Sequence, residues 1–250
     1  MPFNQLSTSK VARAAGCHPN TVRLFEAQGY IPTAERSKAG YRLFTEYHQD
    51  QMVLAVTALQ WPYPGGKAPV EQLVRLAANK ELTAALDLAK AYQVRIEQEI
   101  SYAQAAVHVL EQWAGSQKTI PLKNPLRIWE ASRLLGISAD ALRNWERNGL
   151  ITIPRGPNGY RQYNEPEISW LRVIRVLRQA GYSMMAILRT IHHLQQGSET
   201  DIEDIIGNPP EDENVITAAD RWLSTLEVQK LRAKKIIMQL ELMTYKYPTQ

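Results

Sequence analysis

Residues 126–163 read LRIWEASRLLGISADALRNWERNGLITIPRGPNGYRQY, and residues 6–44, LSTSKVARAAGCHPNTVRLFEAQGYIPTAERSKAGYRLF, carry the same pattern. At a shift of 120, Leu6, Gly16, Val22, Arg23, Glu26 and Gly29 fall on Leu126, Gly136, Leu142, Arg143, Glu146 and Gly149. One residue dropped from the loop then brings Gly40-Tyr41-Arg42 onto Gly159-Tyr160-Arg161. The chain is two copies of one unit, and the unit's chemistry is most of what the chain does.

Within the first copy, residues 7–15 read as a short helix with Val11, Ala14 and Ala15 inward, stopped by Gly16. His18-Pro19-Asn20 restarts a helix, because proline is tolerated at the first helical position, and this helix runs to about Gln28. The segment from Gly29 to Phe44 fits a two-stranded wing turning at Gly40. Helix, tight turn, helix and wing make a winged helix-turn-helix. A helix Glu46–Gln60, a turn at Trp61–Gly66 and a short helix Pro69–Asn79 follow. In the second copy the corresponding parts are a helix Glu165–Gln179, a turn at Gly181-Tyr182-Ser183 and a helix Met184–Leu194.

Each copy ends in a long periodic helix. Over 81–113 an apolar seam steps through Leu82, Leu86, Ala89, Gln93, Ile96, Ile100, Ala103, Val107 and Leu110, a coiled-coil signature. The second runs through Ile216, Ala219, Leu223, Leu226, Lys230, Ala233, Ile237 and Leu240. Five acidic and two basic side chains give residues 81–113 a charge of −3, whereas three acidic and six basic give residues 215–246 +3. Unlike helices therefore pair better than like ones, and Gln93 and Lys230 interrupt the two seams. The expected division is a first winged domain over 1–80, a coil helix over 81–114 and a linker over 115–125. A second winged domain over 126–196, an acidic loop over 197–214 and a coil helix over 215–247 complete it. About 11 linker residues reach about 35 Å, enough to join the end of one coil helix to the next unit.

A net charge of +4 with pI near 9.1 permits a nucleic-acid partner without demanding one. One cysteine, Cys17, excludes a disulfide framework and a cysteine-rich metal site. The N-terminal stretch lacks a signal-peptide pattern and no window approaches a membrane span, so a cytoplasmic, nucleoid-associated protein is expected. No nucleophile and base pair, phosphate loop or carboxylate pair marks an enzyme, and no cofactor is expected.

The motif in Thr21-Val22-Arg23-Leu24-Phe25-Glu26 with Gly40-Tyr41-Arg42-Leu43-Phe44 resembles that of the MerR family of transcription regulators. It returns as Ala141-Leu142-Arg143-Asn144-Trp145-Glu146 with Gly159-Tyr160-Arg161-Gln162-Tyr163, so nearly the whole chain resembles two family units in succession. Ala141 replaces the usual hydroxyl residue, and His18 stands where Ser138 keeps the usual cap. The resemblance implies second helices in successive major grooves, wings on the phosphates and long helices paired antiparallel. It also implies distortion of promoter DNA and RNA polymerase as a partner. The expected fold is thus mainly α: tandem winged helix-turn-helix units, each followed by a long coiled-coil helix.

The candidate DNA-binding residues are Pro19, Asn20, Thr21, Arg23, Leu24, Arg36, Lys38, Tyr41 and Arg42 in the first copy. In the second they are Ala139, Asp140, Arg143, Asn144, Arg147, Arg155, Asn158, Tyr160 and Arg161. Arg23 and Arg143 either reach a groove or pair with Glu26 and Glu146. Arg42 and Arg161 follow Gly-Tyr, where backbone comes close to phosphate, and Tyr41 and Tyr160 either join them or pack the wing. Arg36, Lys38 and Arg155 add salt-sensitive, sequence-blind affinity. Because Asn20 is replaced by Asp140, and Ala27-Gln28 by Arg147-Asn148, the half-sites read by the two copies should differ.

Trp145, Trp170 and Trp222 are expected in the core. Trp61, Tyr63, Tyr182 and Trp222 are candidate walls for a small-molecule effector. His192-His193 lacks metal-ligand spacing, and Cys17 is a candidate thiol sensor against the plainer reading of a packed turn residue. The expected assembly is a single-chain pseudo-dimer on an imperfect palindrome of double-stranded DNA, with a swapped homodimer as the alternative. An architectural DNA-bending factor of excisionase type, or an interaction module docking through the acidic loop, are the competing functions.

Overall fold

The computed structural model describes residues 5–64, 66–115, 124–195, 202–207 and 221–248. It divides into two units: residues 1–98 with 226–250, and residues 99–225. Unit 1 opens with α1 (Thr8–Ala14) and α2 (Pro19–Ala27), the latter capped by His18 Nδ1, which accepts from the Asn20 amide at 3.2 Å. Gly16 between them has φ +63°, as has Gly136 in the second copy, a left-handed conformation that glycine adopts without strain. The wing is β1 (Glu35–Arg36) paired antiparallel with β2 (Arg42–Leu43), and Leu6 bridges to Phe44 beneath it. Helices α3 (Glu46–Ala58) and α4 (Ala68–Ala78) follow. Leu6, Val11, Ala12, Val22, Ile31, Ala34, Phe44 and Met52 form the core, in which Ala12 rather than Ala14 is the buried alanine of α1.

The second copy repeats this with α6 (Ile128–Leu135), α7 (Ala139–Arg147), a reduced wing made of the single bridge Arg155 to Arg161, α8 (Glu165–Gln179) and α9 (Met184–Gln195). Equivalent side chains do equivalent work with different chemistry. Gln51 Nε2 donates to the Tyr30 carbonyl at 2.9 Å, and Trp170 Nε1 donates to the Leu150 carbonyl at 2.8 Å. A short helix, α10 (Ile202–Gly207), interrupts the segment expected as an acidic loop, and the Arg189 guanidinium donates to its Ile205 carbonyl at 3.0 Å. The rest of the 197–214 loop, and the linker up to residue 123, lie outside the described residues.

The long helices are α5 (Leu82–Gly115) and α11 (Trp222–Lys246), and the boundary between the units falls inside both. Their buried stripes depart from the expected seams by one position at four places. In α5, Ala85 and Tyr92 are buried where Leu86 and Gln93 were expected. In α11 the stripe runs Leu226, Gln229, Ala233, Ile236, Leu240 and Met243. Gln229 and Ile236 thus replace Lys230 and Ile237, which keeps the three-four spacing of a heptad. Gln93 lies beside the seam and donates to Glu97.

The far end of each long helix packs on the winged copy that it does not follow. In unit 1, Lys246 Nζ and the Tyr247 hydroxyl reach the Asp50 carboxylate on α3 at 3.1 and 2.9 Å, and the Tyr47 and Tyr247 rings meet edge to face. In unit 2, Trp113 near the end of α5 packs against Trp170 with ring centroids 4.4 Å apart. The Tyr182 hydroxyl donates to the Ala103 carbonyl at 3.3 Å.

Candidate nucleic-acid interface

The second helix of each copy buries one face and leaves the other open. On α2, Val22 is fully buried while Asn20, Arg23, Leu24 and Ala27 are exposed at spacings of three and four, one continuous stripe. On α7, Leu142 and Trp145 are buried and Asp140, Arg143 and Arg147 form the matching stripe. Pro19, Thr21, Ala139 and Ala141 lie half-buried at the helix starts. Asn144 is turned partly inward, its carbonyl and Oδ1 accepting from Asn148 Nδ2 at 2.7 and 3.0 Å, so it stands at the edge of the stripe rather than on it.

The two central arginines have different neighbours. Arg23 Nη1 donates to Asn20 Oδ1 at 2.9 Å, a neutral partner, whereas Arg143 Nη1 is ion-paired to Asp140 at 2.6 Å. Both pairs are solvent-exposed, so either guanidinium can exchange its partner for a nucleic-acid oxygen at small cost. The first copy therefore presents an uncompensated positive charge, and the second presents a compensated one.

Glu26 and Glu146, the alternative partners of those arginines, bind the wings instead. Glu26 accepts from Arg42 Nε at 2.6 Å and from the Ala34 amide at 3.0 Å; Glu146 accepts from Arg161 Nε at 2.5 Å and from Arg155 Nη2 at 3.5 Å. Arg42 and Arg161, expected as wing residues close to phosphate, thus also serve within their own copies. Their Nε groups are committed to the recognition helix, and only their outer N–H groups are left for a phosphate. Each pair is a brace that fixes the angle between wing and recognition helix.

The wing tips are open. Tyr41 and Tyr160 are 74% and 64% exposed, which removes the packed alternative for both. Arg127 lies over the Tyr160 ring at 5.8 Å. Arg36 and Arg155 donate to the carbonyls of Gly40 and Gly159 across their turns, and Asn158 Oδ1 accepts from the Tyr160 amide at 3.2 Å. Lys38 is exposed and has no ion pair among the described residues. The residues that sequence reasoning missed are Glu26, Glu146 and Ala34 as the brace. Recurrence of Glu at the same place in both copies was the available signal.

The candidate effector walls divide between the units, Trp61 and Tyr63 in unit 1 and Tyr182 and Trp222 in unit 2. Trp61 is 68% exposed and Tyr63 half-buried in unit 1. In unit 2, Tyr182 is fully buried, and burial pushes its hydroxyl above the ordinary tyrosine range, so it is a core residue and not a wall. Trp222 lies against Gly181, where a Cβ would come within 2.6 Å of its ring, and donates to the Ala180 carbonyl at 2.6 Å. Burial also raises the Cys17 thiol, which disfavours the thiolate that a sensor needs. Among the described residues no three His, Cys, Asp or Glu side chains group as metal ligands, and no helix is long and apolar enough to cross a membrane.

Residues 7–44 match the family model described as MerR family regulatory protein, and residues 126–194 match the model described as MerR HTH family regulatory protein. Among similar proteins, the HTH-type transcriptional regulator AdhR of Bacillus subtilis is 33% identical over 76 residues, 30% of this chain and 54% of that protein. A probable heavy metal-dependent transcriptional regulator of Haemophilus influenzae is 29% identical over 117 residues, 46% of this chain and 83% of that protein. The HTH-type transcriptional regulator CueR of Escherichia coli O157:H7 is 33% identical over 60 residues, 24% of this chain and 44% of that protein. The chain thus spans about half the length of AdhR and less than half of CueR. No solved structure matches the chain.

Proposed function

We propose that this chain, which carries two MerR-family units in tandem, is a sequence-specific double-stranded-DNA-binding transcription regulator. It acts as a single-chain pseudo-dimer on an imperfect palindrome. The observation that carries this reading is the exchange of helix ends. The tail of α11 sits on the first winged copy through Asp50, and the end of α5 sits on the second through Trp170. Two antiparallel long helices, each reaching the DNA-binding unit of the other half, account for that exchange within one chain. Covalent linkage gives the halves a high effective concentration for each other.

Each exposed stripe enters one major groove, with Asn20, Arg23 and Leu24 reading one half-site and Asp140, Arg143 and Arg147 the other. The wing tips Tyr41, Tyr160, Lys38 and Arg155 hold phosphates, and the glutamate braces set the wing angle. Promoter DNA bends and untwists to meet both copies, RNA polymerase is the partner at that promoter, and the protein works in the cytoplasm at the nucleoid. The reading is tested by selecting bound duplexes from a random-sequence library at near-physiological salt. Two related but unequal half-sites at one fixed spacing are expected. Enrichment of flexible or A·T-rich steps alone identifies an architectural factor instead, and no enrichment identifies an interaction module.

A further inference from the structure

Unit 1 holds a cluster of side chains that the DNA reading does not use. Arg232 on α11 donates from Nη1 to the Gln60 carbonyl just past the end of α3 at 2.6 Å, and to Gln229 Oε1 at 3.1 Å. Its guanidinium is half-buried, and no carboxylate among the described residues lies within ion-pair distance of it. Burial pulls its pKa below the ordinary arginine value, against the opposite pull of the nearby Tyr92 and Tyr63 hydroxyls. A partly desolvated cation without an anion is costly to keep.

Gln229 carries a second deficit of the same sign. The Arg232 donor fixes the orientation of its amide, because only Oε1 can face an N–H. Its Nε2 is then left buried, with no acceptor among the described residues, in a side chain that is 1% exposed. Both deficits call for an acceptor with no hydrogen to donate, and the remaining N–H groups of an arginine fork match a carboxylate's two oxygens. The surroundings are aromatic: Tyr92 is buried on α5, Tyr63 is half-buried, and Trp61 stands in solvent on the same loop. Lys67 Nζ stands 6.0 Å from the Tyr63 ring centroid and is ion-paired to Glu71 at 2.8 Å, so the uncompensated charge of the cluster is that of Arg232.

We infer that Arg232, Gln229, Tyr92 and the loop bearing Trp61 and Tyr63 form a binding site for a small aromatic carboxylate. The carboxylate lies on the Arg232 fork and the Gln229 amide, and the ring packs against the tyrosines with Trp61 at the entrance. The inference does not depend on the DNA reading, since it is tested without DNA. The full chain is titrated with benzoate, and in parallel with its neutral counterpart benzamide, by isothermal calorimetry. Saturable benzoate binding is expected with a dissociation constant below about 1 mM, and benzamide binds at least about tenfold more weakly.

Arg232→Gln abolishes the benzoate signal, and Gln229→Leu weakens it about fivefold or more. Arg232 also caps the Gln60 carbonyl, so far-ultraviolet circular dichroism checks that its variants fold. Arg232→Lys keeps a donor and the charge but not the fork, and carries the test if the glutamine variant does not fold, with about tenfold weaker binding expected. No saturable benzoate binding, equal binding of benzamide, or undiminished affinity in a folded Arg232 variant overturns the site and leaves Arg232 as a helix-end cap.

Discussion

Glu26 ties the first wing to the second helix of its copy without standing on the exposed stripe of that helix. It is held between the Ala34 amide and Arg42 Nε, and its twin Glu146 holds Arg161 in the same way. Glu26→Gln keeps the shape but removes the charge-assisted bond, so the wing loses its fixed angle. We expect an affinity loss for operator DNA of about tenfold, with a stability loss of about 1–2 kcal/mol, read by fluorescence anisotropy and urea unfolding. Lys38→Ala should act differently, because Lys38 is exposed and outside every brace. It should weaken binding uniformly across sequences and lower the slope of log affinity against log salt by about 1.

Tyr163 tests the repeat itself. Its hydroxyl is buried with no hydrogen-bond partner among the described residues, at the position where the first copy carries Phe44. Tyr163→Phe is therefore expected to be neutral or stabilising by up to about 1 kcal/mol in urea unfolding. At this scale the sequence exposed the stripes on both recognition helices, because burial there follows helical spacing. It did not expose the braces, since Arg42 and Glu26 are joined by folding and not by periodicity. Nor did it place Tyr182, whose aromatic character fits a wall or a core equally well.

Among the elements, α3 carries a pH-sensitive cap. His48 Nδ1 accepts from the Thr45 amide at 3.0 Å, and burial holds the imidazole below its usual value, outweighing the opposite pull of the Thr33 backbone, Glu26 and Glu35. The unfolded chain takes up this proton near pH 6.5 while the folded chain waits for a lower pH, so the unfolded state binds more protons in between. Stability is therefore full above about pH 6.5 and falls as the pH drops below it. Urea midpoints measured from about pH 7.5 to about pH 5.5 should decline, and His48→Asn should flatten that decline.

The elements themselves were largely legible, down to α8 at Glu165–Gln179, because proline, glycine and capping residues punctuate both copies in the same order. The coil seams were not fully legible. Lys230 and Ile237 sit next to Gln229 and Ile236, and either set satisfies a three-four spacing over a short stretch. Only the partner surface decides which neighbour turns inward. Helix α10 escaped notice because six residues in an acidic segment give too short a period to read.

For the whole molecule, sequence doubling and opposite coil charges both favour two halves that complete each other. The anchoring of Tyr247 and Lys246 on Asp50 agrees with that. Unequal neighbours of Arg23 and Arg143 mean that the halves are not interchangeable, so under the proposed reading an operator with a direction is expected. A homodimer of identical single-unit chains has no such means of orienting itself on DNA.

The central claim is that one chain fills both half-sites, and the mass of the complex on the selected duplex tests it most directly. Native mass spectrometry should find one 28.4 kDa chain per duplex and, without DNA, a single chain in solution. Two chains per duplex, or a free species of twice that mass, would contradict the pseudo-dimer and establish the swapped homodimer.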